Sequence, residues 1–331
     1  MKIFIEPELS EYYQRSPLVL VDIGASGGIE SHWKSAEKYL QLIGFEPDER
    51  EYFNLKRKEN GKIKYLNTGL YKEKMLLEYY LTEKQQTTSI FKPNREFLDR
   101  FPEAQRFDII SKVVMEADTL DNQFKIQRIT DSDFIKIDTQ GSELFILEGA
   151  VNTIKNHVFG VEVEVEFVEM YQNQPLFSDV DSFMRKQGFW LFDIQTAYWK
   201  RNIGKAYHKK RGQLIYGNVL YLRTPDSFCK LFQNIPAKML KKSKILKALS
   251  ICFLYGYVDY AMELFDGTAA LFDEAERQAI GKKIEGSRRY ENKIPNFKGR
   301  KKLADMVYSF WEFLKPTHNG WATIDRKLGN S

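Results

Sequence analysis

Between residues 18 and 222, short apolar runs and helix-length amphipathic stretches take turns, and this alternation restricts the chain to few folds. Strand-like runs occur at LVLVDI (18–23), LIGFE (42–46), IKYLNTGL (63–70), DFIKID (133–138), GVEVEVEFV (160–168) and LIYGNVLYL (214–222). Helix-period stretches lie between several of them, at 31–40, 48–58, 142–155 and 178–187. The repetition predicts an α/β fold with a doubly wound, mostly parallel sheet. LLEYYLT (76–82) and KVVMEADTL (112–120) read as additional strands. After Thr224 the pattern turns helical, dividing the chain into residues 1–224 and a helical C-terminal region, 225–331.

Composition narrows the class. With 331 residues, 43% hydrophobic and 29% charged, the chain can bury a full core. The opening MKIFIEPELSEYY carries acids where an export signal needs an apolar core, and ALSICFLYGYV (248–258) is too short to span a bilayer. A cytoplasmic location is expected, with at most peripheral contact at the inner face of a membrane. Cys229 and Cys252 lack metal-like spacing and read as free thiols.

The net charge of +5 is uneven. Residues 225–331 hold 19 Lys and Arg against 12 Asp and Glu, leaving 31 against 33 for residues 1–224. A basic tail suits an anionic partner such as a membrane surface; a solvated surface is the plainer reading. KMLKKSKILKALSICFLYGYV joins lysines to an apolar segment, as an interfacial helix would, although packing onto the rest of the chain is the commoner fate. This region is also the expected place for a homo-oligomer contact. The end, TIDRKLGNS, is expected to fray.

The first strand runs into Asp22-Ile23-Gly24-Ala25-Ser26-Gly27-Gly28. Gly24 permits a sharp turn, and Gly28 lets the next helix begin close to a ligand. GFEPD ends the second strand at Glu46, 22 positions after Gly24, where dinucleotide folds place a ribose-binding carboxylate. Asp22 stands at the mouth of the turn, and no Lys or Arg falls between it and Ser31. That arrangement repels a pyrophosphate and suits the ammonium of a methionine moiety, and the G-x-G-x-x-G spacing is missing. The ligand expected is S-adenosylmethionine. DFIKIDTQGSELFILEGA (133–150) then places Asp138 at the carboxyl end of a central strand, followed by a turn at Thr139-Gln140-Gly141.

In order and spacing, VDIGASGG, GFEPD and FIKIDTQGSELFILEGA resemble the FkbM-type methyltransferases. The third block is similar to that family's signature, a Lys-Ile-Asp followed by Gly, Glu and a later Gly-Ala. The resemblance extends through TTSI (87–90), VEVEFVEMYQNQPLFSDVDSFMRKQGF and RGQLIYGNVLYLR, and leaves residues 225–331 outside. Gln140 departs from it, since the family often has an acid there. The resemblance implies a class I methyltransferase, Rossmann-like fold, S-adenosylmethionine as cofactor and O-methylation, often of sugars. By motif position it sets Asp22, Gly24, Ala25, Ser26 and Gly28 around the methionine part and gives Glu46 the ribose hydroxyls, with Pro47 and Asp48 beside it. Thr68 to Leu70 border the adenine, and Asp138, Thr139 and Gln140 stand at the next strand end.

A sugar hydroxyl is hardly acidic, so a general base helps its methylation. Asp138 is the first candidate; capping the next helix or holding cofactor are its alternatives. Glu162, Glu164 and Glu166 alternate with valines and share one side of a strand. They suit substrate hydroxyls, a base or a divalent cation if covered, and ordinary ion pairs if exposed; Glu164 is the second catalytic candidate and Glu166 a substrate contact. No compact ligand spacing calls for a metal, so none is expected. Tyr171 and the Thr87-Thr88-Ser89 loop are placed to border the acceptor. Trp199 offers a face for a sugar ring, and His208 is either a lid base or a surface histidine beside Lys209, Lys210 and Arg211, which would suit an acidic or phosphorylated sugar. The expected partner is a sugar, glycan or lipid-linked saccharide; nucleic acid is disfavoured, as no base-methylating motif is present. The rival reading is a methyltransferase fold used mainly for binding, its C-terminal region docking a partner or membrane surface.

Overall fold

The computed structural model describes residues 7–29, 32–204, 212–233, 235–288, 297–314, 320–324 and 328–329. Its strands, in chain order, are β1 (Leu18–Ile23), β2 (Leu40–Phe45), β3 (Ile63–Leu66), β4 (Gly69–Leu70), β5 (Met75–Thr82), β6 (Ile109–Asp118), β7 (Phe134–Ile137), β8 (Gly160–Glu166), β9 (Phe189–Trp199), β10 (Gln213–Arg223) and β11 (Ala322–Ile324). Eight form one sheet in the order β3-β2-β1-β7-β8-β10-β9-β11. The first five of these run parallel, while β10, β9 and β11 pair antiparallel with their neighbours. The chain winds outward from β1 through β2 to β3, then returns to β7 on the other side of β1. The switch point therefore lies between β1 and β7, where open α/β sheets form their ligand crevice.

Side-chain alternation builds a core on each face of this sheet. Val19, Val21 and Ile23 face one cluster, covered by the helices Leu120–Gln127, Val151–Asn156 and Phe177–Lys186. Leu18 and Leu20 face the other, which contains Leu9 and Tyr13 together with Phe228, Ile245, Leu249, Leu264 and Ile280 from beyond residue 224. The C-terminal helices thus complete one wall of the sheet's own core.

Several expectations are corrected. The run at 63–70 is two strands, with Thr68 in the bend where β3 leaves the large sheet and β4 joins a small one with β6 and β5. The helix expected at 142–155 is two, Glu143–Glu148 and Val151–Asn156, and Gly149 stands at the break, where a Cβ would lie 2.1 Å from the Tyr71 carbonyl oxygen. The first glycine turn leads into a 3-10 helix, Trp33–Tyr39. Strand β9 has no counterpart among the expected strands. Its mixed pattern, FWLFDIQTAYW, is explained by its position near the sheet's end, where it packs between β10 and the short β11. Within TIDRKLGNS, expected to fray, Thr323 and Ile324 pair with β9 and the Gly329 amide donates to Asp193 Oδ2 at 2.7 Å.

The helix Lys238–Leu254, read as a candidate interfacial helix, is buried from Lys242 onward. Lys244 Nζ reaches Asp131 Oδ1 (2.7 Å) and Asp133 Oδ1 (2.6 Å), and Lys247 Nζ reaches Asp131 Oδ2 (2.7 Å) and Asp133 Oδ2 (2.9 Å). Lys242 Nζ pairs with Glu276 at 2.5 Å. These lysines point into the protein, where a membrane cannot meet them. Among the described residues no helix is long and apolar enough to cross a membrane.

Candidate active site

The carboxyl ends of β1, β2, β7 and β8 open onto a cavity of about 410 Å³, within the range that holds a cofactor-sized ligand. Gly24 stands at its base with φ +79°, and a Cβ there would lie 2.0 Å from the Asp138 carbonyl oxygen. Only glycine lets the first turn pass so close to the end of β7. The Gly24 and Ala25 amides both donate to the Phe45 carbonyl, at 3.0 and 3.2 Å. The turn thus spends these amides internally instead of presenting them to an anion.

Glu46, directly after β2, lines the cavity and is 7% exposed. Its Oε1 accepts the Asp48 amide at 2.9 Å, and its second oxygen has no protein hydrogen bond among the described residues. Burial, with Asp48, Glu51 and Asp22 adding negative charge, pushes the Glu46 carboxyl up to about 7. Asp48 caps the helix Glu49–Lys56 by accepting the Arg50 and Glu51 amides. Burial works to raise its pKa, but hydrogen bonds from Arg50 outweigh this and hold it below the ordinary value.

At the other wall, the Gln140 amide joins two carboxyl groups. Gln140 Nε2 donates to Asp138 Oδ1 at 3.2 Å and to Glu164 Oε1 at 2.6 Å. The Tyr171 hydroxyl lies 3.1 Å from Gln140 Oε1, and Ser89 Oγ donates to the Gln140 carbonyl at 2.6 Å. Gln140 is held with φ +61°, a strained region for a residue with a side chain. An ionised acid here could accept but never donate, so the glutamine that departs from the family pattern is the residue able to bridge both carboxyls.

Burial, then the charges of Asp138, Glu166 and Glu143, raise the Glu164 pKa well above the ordinary value. Glu166 is raised for the same reasons, burial first. Glu143, raised to about 7 chiefly by burial, accepts the Thr139 and Gly141 amides at 2.8 and 2.9 Å and so fixes the turn that carries Gln140. Among the described residues no group of three His, Cys, Asp or Glu is placed to hold a metal ion.

Of the residues nominated from sequence, Gly24, Ser26, Glu46, Pro47, Asp48, Thr68, Leu70, Thr88, Asp138, Thr139, Gln140, Glu164 and Trp199 line this one cavity. Six others do not. Asp22 points to the opposite side of β1 from Val21 and Ile23, with Lys136 Nζ 3.8 Å away. Ala25 is buried against β2, Gly28 lies behind the turn beside Tyr65, and Ser89 is buried under the Gln140 turn. Glu166 is 1% exposed behind Glu164, and Tyr171 is wholly buried as a support for Gln140. Glu162 leaves the row to accept a 2.6 Å hydrogen bond from Tyr255. His208 and the Lys209–Arg211 cluster lie outside the described residues.

Sequence reasoning missed Glu143, Met170 and Tyr216, although all three stand in stretches that carry the resemblance, and Arg106, which stands in none and reaches the cavity only through the fold. A larger groove, about 1290 Å³, lies at the opposite ends of the parallel strands and contains none of the nominated residues.

Sheet order and site together define a class I methyltransferase-like α/β protein. The methyltransferase FkbM domain matches residues 22–191, just over half of the chain, and the protein belongs to that family. No curated protein matches it. Among solved structures, an FkbM methyltransferase from Methylobacillus flagellatus KT shares 17% identity at a TM-score of 0.35, covering 66% of this chain and 50% of that one. This chain thus spans half the length of that relative. Magnesium protoporphyrin IX methyltransferase from Synechocystis PCC 6803, solved with bound SAM, shares 8% identity over 66% of this chain and 76% of that one, with a TM-score of 0.33. Likenesses this remote say nothing of the chemistry.

Proposed function

We propose that the protein is an S-adenosylmethionine-dependent O-methyltransferase acting on a hydroxyl of a sugar, glycan or lipid-linked saccharide. The observation that carries this reading is the Asp138–Gln140–Glu164 cluster, set in the same cavity as Gly24 and Glu46. The donor fits the residues present: Glu46 keeps an oxygen free for ribose hydroxyls, and the first turn spends its Gly24 and Ala25 amides on the Phe45 carbonyl instead of presenting them to an anion. When bound, the donor supplies the methyl group and keeps the electron pair of the broken carbon–sulfur bond, while the acceptor oxygen gains the methyl and loses its proton. The Asp138–Glu164 pair receives that proton. Burial makes Glu164 a stronger base than an exposed carboxylate, which suits a weakly acidic hydroxyl. Gln140 holds the pair in register, so the protein's contribution is largely orientation and proton acceptance.

The test is methyl transfer from labelled donor to a panel of sugars. Asp138→Asn and Glu164→Gln are expected to lower kcat by about 10²–10⁴ with donor affinity kept. Undiminished kcat in both variants, or label on nitrogen or carbon only, would contradict the reading.

A second reading, in which the C-terminal region docks to a membrane, rests on the helix Arg300–Leu314. Leu303, Met306, Val307, Phe310 and Leu314 recur at helical spacing and are 50% or more exposed, with Lys301 and Lys302 at the helix start. Flotation of the full chain with anionic vesicles, lost when residues 300–331 are removed, is its expected signature. Absence of the full chain from the vesicle fraction would end it.

A further inference from the structure

Arg106 lines the same cavity as Glu46, Asp138 and Glu164. Its guanidinium carbon lies 4.9 Å from the ring centre of Phe107, 4.7 Å from that of Trp199 and 4.8 Å from that of Trp321. Three rings hold the cation in place, yet its Nε is buried without a hydrogen-bond partner, and among the described residues no carboxylate pairs with it. The two nearest acids in sequence are engaged elsewhere, Asp108 by Arg95 at 2.9 Å and Glu103 by the Trp321 indole at 3.2 Å.

The protein's other buried cations are treated differently. Lys242, Lys244 and Lys247 each meet carboxylates, and Arg223 donates to the Val158, Ile154 and Lys155 carbonyls and to Ser227 Oγ. A guanidinium cannot shed its proton, so a half-buried one without an anion is an unbalanced charge facing a cavity. Tyr216 lines the same cavity and lies within electrostatic reach of Glu164 and Asp138 as well as of Arg106. The carboxyl pair and the cation thus share one cavity with that ring.

Resting on the methyltransferase reading above, we infer that Arg106 receives an oxyanion carried by the acceptor, so that the substrate is an acidic sugar, bearing a carboxylate or a phosphate ester, with its reacting hydroxyl turned to Asp138 and Glu164. The planar fork of the guanidinium suits both anions in a bidentate grip, and its aromatic cage fixes the fork before the ligand arrives.

Calorimetry on the full chain saturated with S-adenosylhomocysteine tests this, with glucose, glucuronate and glucose 6-phosphate as probes. One or both acidic sugars are expected to bind about ten- to a hundredfold more tightly than glucose, the size of a charge-assisted hydrogen-bond pair. The stronger of the two tells carboxylate from phosphate. Arg106→Gln should abolish the preference and leave S-adenosylhomocysteine affinity unchanged, which also shows that the variant is folded. Equal binding of all three sugars, binding of none, or loss of S-adenosylhomocysteine affinity in Arg106→Gln would overturn the inference, the last because Arg106 would then hold the donor's own carboxylate. Failure of the wild-type chain to bind S-adenosylhomocysteine would instead sink the methyltransferase reading itself.

Discussion

On the proposed reading, Glu46 makes cofactor affinity a pH-dependent quantity. Burial and neighbouring acids push its carboxyl up to about 7, and on that reading only the ionised form would accept from both ribose hydroxyls. Donor affinity should therefore rise with pH and level off above 7, dropping about tenfold per unit on the acid side. Glu46→Gln should flatten that profile, and Glu46→Ala should weaken binding by about 1–3 kcal/mol; an unchanged profile in either variant removes Glu46 from the ribose site. The buried acids Glu143, Glu164 and Glu166 act on stability in the opposite sense. A carboxyl raised by folding stabilises the fold fully below its unfolded pKa of roughly 4.3 and loses that contribution as pH rises through the folded value. Thermal stability should thus fall as pH rises above about 5, and Glu166→Gln should fall less steeply while matching the wild type in acid. Superimposable curves would mean that Glu166 titrates normally. At this scale Glu46 and Asp138 were legible because strand ends announce them. Gln140's bridging was not, because two of its partners, Glu164 and Tyr171, lie 24 and 31 residues away in sequence.

Elements tell a similar story. The parallel strands were readable where both faces are buried, since β1 and β8 present unbroken apolar or alternating runs. Strand β9 and the break at Gly149 were not, and both meet neighbours distant in sequence: β10 and β11 pair with the first, and the Tyr71 carbonyl lies against the second. In the helix Lys238–Leu254, lysines that look like a surface stripe are buried ion-pair partners of Asp131 and Asp133, which precede β7. Burial works to raise the Asp131 pKa, yet Lys244, His157 and Lys247 hold it well below the carboxylate range. Removing one partner strands a buried charge, so Lys247→Met should cost about 3–5 kcal/mol, whereas Arg185→Met at the exposed Asp181 pair should cost less than about 1 kcal/mol. Chemical denaturation distinguishes them; equal losses would show that the helix is not clamped by this cluster.

Across the whole molecule, two ends of one sheet have separate characters. The carboxyl ends gather Gly24, Glu46, Asp138, Glu164 and Arg106 around a single cavity, and the C-terminal helices close the core behind it. No residue of that set is close in sequence to all the others; the switch point between β1 and β7 assembles them. Donor binding at this crevice is the claim on which the remaining chemistry depends. The most direct measurement is calorimetric titration of the purified chain with S-adenosylmethionine and, separately, with a nicotinamide dinucleotide. Saturable binding of the first, weakened in Glu46→Ala, and none of the second is the predicted result. Binding of the dinucleotide alone would contradict the account.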